Sequence, residues 1–501
     1  MTKTDKRYLV GIDIGTSGTK SVLFDTDGNA VASAFEDYTM AQPANGWAEQ
    51  APEKWWWAVC VTLRKITQQA KDGEIVGVGL SGQMHSLVLL DSDDRVIRPA
   101  ILWCDQRTGA ECAEIEALVG RDRLIEITAN PALTGFTASK LMWIKKHEPE
   151  NLARCAHILL AKDYIRFQLT GEYATDVSDA SGMQLLDVPN RCWSSEVCNR
   201  LGIDMALLPR LYESCEISGR ITAKAAKMTG LPIGTVVAGG AGDNAASAVG
   251  TGVCRAGNAF TTIGTSGVVF APIDRPIIDP KGRVHTFCAA LPNAWHLMGV
   301  TQAAGLSLNW FRNHLAGEFS YKDIDEACER VSIGAEKLLY LPYLMGERTP
   351  ILDADARGVF FGLSAMHTRV HMARAVIEGV SYSLYSCLEI LRELGIALDS
   401  MALCGGGAKS PFWHKMLCDV YGLPIQTMAS SEGATLGAAI LGGCAAGVFQ
   451  SVEEGCSSMV GANATVEPDM EAHAEYMKFY GIYSSLYGAL KNDFKKLSDL
   501  Q

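Results

Sequence analysis

The sequence predicts two α/β domains facing each other across a cleft, and three observations carry that prediction. At 501 residues the chain exceeds what one ordinary hydrophobic core organises, so two large domains are the default. The segment Ile14-Gly15-Thr16-Ser17-Gly18 recurs, half a chain length later, as Ile263-Gly264-Thr265-Ser266-Gly267. Around each copy, short apolar, β-branched and aromatic runs come first and helical periodicity follows.

Tyr8 to Ile12 and Ser21 to Phe24 flank the first copy, and Ala259 to Thr262 and Val268 to Phe270 flank the second. Each set reads as a β-hairpin. Asp25-Thr26-Asp27-Gly28 then turns the chain into a strand at Ala30 to Ala34. Helical spacing follows from Glu53 to Ala70, with Trp56, Val59, Cys60, Leu63 and Ile66 on one face, and from Val370 to Leu394. From Glu471 to Leu497 an aromatic stripe (Tyr476, Phe479, Tyr480, Tyr483, Tyr487, Phe494) marks a packing face rather than a cofactor box. Domains are expected over 1–250 and 251–501, and the stretches near 229–235 and 271–282 look like the best breaks.

The composition is that of a soluble globular protein, 48% hydrophobic and 20% charged. Forty-four basic against 56 acidic residues, a net charge of -12, argue against a nucleic-acid or anionic-membrane partner. That balance leaves room for a nucleotide held by backbone N–H groups and a metal ion. The polar stretch Met1 to Arg7 has no signal-peptide core, and nowhere do 18 apolar residues run together. The 15 cysteines are odd in number, scattered and without a C-x-x-C pair, as reduced thiols are. The expectation is a cytoplasmic protein, and a homodimer is the assembly entertained.

A hairpin turn of Gly, Thr and Ser offers backbone N–H groups and hydroxyls with little bulk, which suits phosphate oxygens. One copy reads as an ordinary tight turn. Two copies, Thr16 and Ser17 in one and Gly264 and Thr265 in the other, suggest a polyphosphate gripped from both sides. Each half also sets an aspartate beside glycines. Asp13 ends the first strand and is a candidate Mg²⁺ ligand, directly or through water. Asp243 follows Gly239-Gly240-Ala241-Gly242 at the start of a helix. A helix N-cap explains the aspartate but not the glycines, which favour close approach of a ligand. Such an aspartate can orient a hydroxyl and accept its proton. Gly405-Gly406-Gly407 between a strand and a helix has the grammar of a nucleotide corner or of a plain tight connection. The G-x-G-x-x-G match at Gly77 to Gly82 is a decoy, because Ser86 to Leu90 continues as a strand where a helix should open. Gly15 to Ser21 lacks the glycine a P-loop carries before its lysine.

Longer motifs show a resemblance. Gly135-Phe136-Thr137-Ala138-Ser139-Lys140-Leu141-Met142-Trp143-Ile144-Lys145-Lys146-His147 is one signature, and Gly358 to Leu363 with His371 to Gly379 is the other. On these the chain resembles the FGGY carbohydrate kinases over nearly its full length, within the actin and hexokinase (ribonuclease H-like) superfamily. Ser81-Gly82-Gln83-Met84-His85, Ile101 to Arg107 and Leu341 to Pro350 are most similar to the branch acting on D-xylulose. The resemblance implies a sugar held by Gln83, Met84, His85, Trp103, Asp243 and Asn244, with Asp243 as base. It implies ATP, with Mg²⁺, held by Gly264, Thr265, Gly305, Asn309, Gly406, Gly407 and Ser410. Rival readings are a kinase of another pentulose or polyol and an ATP-driven binding protein, which would need neither Asp243 nor Gln83-Met84-His85.

Overall fold

The computed structural model describes residues 6–430 and 432–500, so Met1 to Asp5 of the polar N-terminal stretch lie outside it. It is built on two seven-stranded sheets. In the first, strands β1 (Arg7–Ile14), β2 (Gly18–Asp25), β3 (Ala30–Asp37), β4 (Glu74–Gly82), β5 (Ile217–Arg220) and β6 (Val236–Ala238) lie in the order β5-β6-β4-β1-β2-β3, and β7 (Ala241–Gly242) also pairs with β4. In the second, β8 (Gly257–Ile263), β9 (Gly267–Ile273), β10 (His285–Cys288), β11 (Trp295–Thr301), β12 (Leu398–Gly405), β13 (Ile425–Met428) and β14 (Ala462–Val466) lie in the order β10-β11-β9-β8-β12-β13-β14.

The sequence echo is therefore a structural one. Reading β3-β2-β1-β4-β6-β5 beside β11-β9-β8-β12-β13-β14 gives the same run of pairings: antiparallel, antiparallel, parallel, parallel, antiparallel. The two repeated turns differ by one residue in register. Ile14 faces Thr19 across the first hairpin, whereas Ile263 faces Gly267 across the second.

Helix α1 (Pro52–Thr67) covers the first sheet, starting with proline at its first turn, where the missing N–H costs nothing. Its buried face is the expected one at Val59, Cys60, Leu63 and Ile66 and differs at the tryptophans. Trp55 is fully buried and Trp56 only partly so, because the stripe runs through Trp55, Ala58, Val59, Thr62, Leu63 and Ile66. The long helices α6 (Arg369–Glu393) and α10 (Met470–Asp499) pack on the second half. The aromatic stripe of α10 is core, with Tyr476, Tyr480, Tyr483 and Phe494 buried. Neither break suggested by composition separates the halves. Residues 229–235 join α-helical Ala223–Thr229 to β6 within the first half, and 271–282 runs on from β9 within the second. The chain crosses between the sheets at 251–256, after α4 (Asp243–Gly250).

A second crossing was not visible in the sequence. Helix α8 (Gly433–Ala445), late in the chain, returns to pack on β1, β4 and α4 of the first half, and α9 (Val452–Met459) packs on it before β14 rejoins the second sheet. It lies at backbone contact distance. A Cβ on Gly79 would sit 1.7 Å from the Ala438 carbonyl oxygen, and one on Gly437 would sit 1.8 Å from that of Ala246. The decoy glycines of β4 thus have a packing role. Among the described residues, no helix is long and apolar enough to cross a membrane.

Candidate active site

Three parallel strands end side by side in the first half. Asp13 on β1 pairs with Ser81 on β4, which in turn pairs with Ala241 on β7. Ligands of open α/β sheets bind beyond such carboxyl ends. Ser81 donates its hydroxyl proton to Asp13 Oδ1 at 2.8 Å. Burial raises the Asp13 pKa above the usual range, opposed by Ser81 and by Lys20 on the neighbouring strand.

Asp243 is the first residue of α4, with Gly242 in the capping position, so the N-cap role considered for it is not the one it has. Its Oδ1 accepts from the Asn244 backbone N–H at 2.8 Å and from Asn244 Nδ2 at 3.0 Å. Burial, and then the Asp13 carboxylate, push its pKa up to about 7. Two mutually repelling carboxylates, one at the end of β1 and one at the start of α4 across β4 from it, form a site that favours a cation or a proton.

The corner ahead of Asp243 is held by a buried polar network that sequence reasoning missed. The Gly242 N–H donates to Ser178 Oγ at 3.2 Å, and Ser178 donates its N–H and hydroxyl to Asp176 Oδ2 at 2.8 and 2.5 Å. Lys162, on α3 (Ala161–Thr170), pairs with Asp163 at 2.7 Å and Asp176 at 2.8 Å. Arg166, one turn on, pairs with Asp163 and donates to the Gly239 carbonyl. No pattern in 161–179 points to this role, because the partners converge only through the fold.

Met84 packs at the corner that leads into Asp243, and both Met84 and His85 line Gly182. A Cβ on Gly242 would meet Met84 Cγ at 2.8 Å, so that glycine makes room for the methionine. His85 adopts φ 67°, a strained conformation for a side chain of its size. Its Nδ1 lies 2.8 Å from the Gly182 carbonyl, its ring stacks on Phe136 at 4.7 Å, and Lys140 Nζ and Thr137 Oγ1 donate to its carbonyl at 2.8 and 3.1 Å. Burial, and then Lys140, hold its pKa well below the usual value. The ring is neutral, and Nδ1 must carry the proton to donate to Gly182, which leaves Nε2 as an acceptor. Lys140, on α2 (Thr137–His147), is itself fully buried, and burial lowers its pKa to about 7.

Other sugar-side residues brace the first hairpin. Gln83 Oε1 accepts from Thr16 Oγ1 at 3.3 Å, and its Nε2 donates to Gly15 O and Gln50 Oε1 at 3.4 and 3.2 Å. Trp103 Nε1 donates to Thr16 Oγ1 at 2.9 Å. The Gln83 amide and the Thr16 hydroxyl are thus turned toward each other, and Ser17 stays exposed at the tip.

The second half builds a glycine-lined counterpart. Gly264 and Thr265 are exposed, and their carbonyls accept from the N–H groups of Gly305 at 2.8 Å and of Ala304 at 3.0 Å. This seats the hairpin on the start of α5 (Gly305–Leu315), where a Cβ on Gly305 would lie 2.5 Å from Gly264 O. Gly406 and Gly407 form a tight turn beyond β12, and a Cβ on Gly407 would strike Ile263 at 2.6 Å. Asn309 is exposed on α5, its Oδ1 accepting from Asn313 at 2.9 Å. The Ser410 hydroxyl caps α7 (Pro411–Tyr421), accepting from the Trp413 N–H at 3.0 Å.

Comparison with known proteins agrees with this arrangement. Residues 8–250 match the N-terminal domain, and residues 259–446 the C-terminal domain, of the FGGY family of carbohydrate kinases. The chain is 38% identical over 490 residues to the xylulose kinase of Bacillus subtilis, covering 97% of this chain and 98% of that protein. It is 40% identical over 482 residues to the xylulose kinase of Escherichia coli, covering 96% and 99%. The gluconokinase of Bacillus licheniformis is 32% identical over 506 residues, covering 99% and 98%. Two solved structures from Lactobacillus acidophilus, a ligand-bound xylulose kinase (31% identical) and a gluconate kinase (30%), each superpose with a TM-score of 0.94 and cover 98% of this chain and 100% of theirs. The chain therefore belongs to the FGGY family of carbohydrate kinases and has their actin/hexokinase-like fold.

Proposed function

We propose that this kinase transfers the γ-phosphate of ATP to the terminal hydroxyl of D-xylulose, giving D-xylulose 5-phosphate. The first half, 1–250, takes the sugar, and the second, 251–501, takes most of the nucleotide. The observation that carries the reading is the Asp13–Asp243 pair, with Met84 packed against Gly242 just before Asp243 and a neutral His85 following Met84 in the chain. An oxygen-only donor set with unbalanced negative charge fits Mg²⁺. Asp13 would hold the ion, directly or through water, and the ion would neutralise the phosphate oxygens when bound.

Asp243 orients the attacking hydroxyl and accepts its proton as the new bond forms. A carboxylate poised near pH 7 is a better acceptor at neutral pH than one at about 3.9. Met84 closes the wall against Gly242, His85 Nε2 accepts from a sugar hydroxyl, and Asn244 keeps the Asp243 carboxylate turned toward the cleft. Across it, the Gly264-Thr265 hairpin, Gly305, Gly406 and Gly407 offer low, glycine-lined surfaces for the nucleotide, with Asn309 at the rim. Gln83 and Trp103 act through the first hairpin, holding Thr16 and Ser17 in place, and Ser410 acts by ending the glycine turn on a helix.

A coupled assay with ATP, Mg²⁺ and a panel of D-xylulose, D-ribulose, L-ribulose, xylitol, glycerol and D-gluconate tests the proposal. D-Xylulose is expected to have the highest kcat/KM. A tenfold advantage for any other substrate, about 1.4 kcal/mol, overturns the substrate assignment.

A further inference from the structure

Arg348 belongs to the second half, on the loop after Leu339–Leu341, yet its guanidinium lies at the sugar end of the first half. A Cβ on Gly135 would sit 3.3 Å from Arg348 Nη2 and 2.8 Å from the Trp103 carbonyl, so Gly135 is the position that leaves room for it. Its charge is felt at His85, Lys140 and His285, whose pKa values it depresses. Asp243 shows no such influence; its neighbours are Asp13 and Asn244. Arg348 is thus grouped with Gly135, His85 and Lys140 rather than with the two aspartates.

Among the described residues the guanidinium makes no ion pair and no hydrogen bond, although burial already lowers its pKa. The adjacent Glu347 carboxylate acts on it through its charge but accepts no hydrogen bond from the guanidinium. Glu347 Oε1 instead accepts from the backbone N–H groups of Gln302 at 2.7 Å and Arg348 at 2.8 Å. The backbone on either side is fixed. Thr349 N–H donates to Val300 O at 2.9 Å, and Thr349 Oγ1 donates to Arg283 O at 2.8 Å. Arg348 is half-buried, and a rigidly mounted guanidinium with five donors and no protein acceptor at the mouth of the site is placed to meet oxygen atoms supplied by a ligand.

We infer that Arg348 binds the substrate, donating to the carbonyl-end oxygen atoms of the sugar, remote from the hydroxyl that is phosphorylated. The inference rests on the sugar lying beside His85, as proposed above. It makes the second half a partner in sugar recognition, so that the ketose itself bridges the cleft. It also gives the enzyme a reason to prefer a substrate with an electron-rich carbonyl or carboxylate at that end over the corresponding polyol.

The test compares wild type with Arg348→Gln and Arg348→Lys on D-xylulose, xylitol and D-gluconate, with thermal stability and the KM for ATP measured on each. Wild-type activity on the panel first decides whether the substrate reading holds, independently of the arginine. In Arg348→Gln, KM for the preferred carbonyl or carboxylate substrate is expected to rise about 10- to 100-fold, the scale of a lost charged hydrogen bond. Xylitol should lose less than threefold and KM for ATP less than twofold, with Arg348→Lys intermediate. Unchanged ketose KM in a folded variant, or equal losses on ketose and polyol, overturns the inference. Should the variants fail to fold, phenylglyoxal labelling of the wild-type protein answers the same question. Arg348 should be protected by the preferred sugar alone, and labelling that the sugar leaves unchanged refutes the contact.

Discussion

Replacing Asp243 by asparagine should destroy activity and stabilise the fold at the same time. The two effects share one cause. Burial and the Asp13 carboxylate raise the Asp243 pKa to about 7, so the folded protein disfavours the ionised form that the reaction needs. A carboxyl whose folded pKa lies above its unfolded value adds stability that is fully present below the unfolded pKa. That stability is lost as pH rises through the folded one. The window therefore runs from about pH 4 to about pH 7. Taken at face value the shift corresponds to about 4 kcal/mol, and relaxation with partial access to water reduces this to about 1–2 kcal/mol.

The substituted amide would keep the oxygen that accepts from the Asn244 N–H while removing the charge. In the absence of Mg²⁺ and nucleotide, Asp243→Asn should therefore melt higher than wild type at pH 8. The gain is about 2–4 °C per kcal/mol for a cooperative unit of about 150–250 residues. The difference should shrink as pH falls and vanish well below about pH 4, where wild type is protonated in both states. kcat should fall by about 10²-fold or more, because an amide accepts no proton. KM for ATP should stay nearly unchanged, since the glycine-lined surfaces lie on the other half. A variant retaining more than about a tenth of wild-type kcat would remove Asp243 from the role of base. A melting difference independent of pH would refute the electrostatic account.

Asp13→Asn should weaken Mg²⁺-dependent turnover while leaving ketose affinity without nucleotide nearly unchanged; a large loss of ketose binding would move Asp13 into the sugar pocket. The same variant removes the second cause of the raised Asp243 pKa, so Asp243 should titrate at lower pH, a shift to follow by NMR of the labelled carboxyl. Gly79→Ala puts a methyl group 1.7 Å from the Ala438 carbonyl, so it should cost about 3 kcal/mol or more, and wild-type stability would disprove the close packing of α8.

Where the sequence could be read, local chemistry set the answer. The hairpins around Ile14 and Ile263 were legible because alternation and Gly-Thr-Ser turns are short-range signals. The stripe of α10 was legible because helical spacing repeats over many turns. The choice between Trp55 and Trp56 was not, because three consecutive tryptophans leave the phase of α1 to the sheet beneath it. The return of α8 could not be read at all. Its small residues, Gly433-Ala434-Thr435-Leu436-Gly437-Ala438-Ala439, carry no information about which sheet they touch. At the candidate site, Asp13, Asp243, Met84 and His85 could be singled out because glycine corners and motifs surround them. Ser81, Gly182 and the Lys162–Asp176–Ser178 network matter only through partners distant in sequence. Lys140 and Arg348 lie within quoted motifs, but nothing in a string of letters marks a cation as buried or unpaired.

The packing of α8 bears on how the two halves can move. Helix α4 begins at Asp243 and lies against α8 through backbone contacts, with Gly250 as close to Gly433 O as Gly437 is to Ala246 O. Such contacts leave no room to slide, so α4, α8 and the sheet carrying Asp13 move as one body. Lys20, paired across β1 and β2 with Asp13, extends that body by its 2.6 Å ion pair with Glu432 at the start of α8. Any closing motion must then fall where the chain crosses between the halves, at 251–256, between β13 and α8 and again just before β14, and it carries the rest of the second half. The Asp13–Asp243 electrostatics are consequently set before substrate arrives and do not depend on closure. Arg348 and the glycine turns at Gly264 and Gly406 travel with the moving part. On the proposed reading, proton acceptance is built into the rigid half, whereas the grip on the sugar's far end and on the nucleotide would form as the cleft closes.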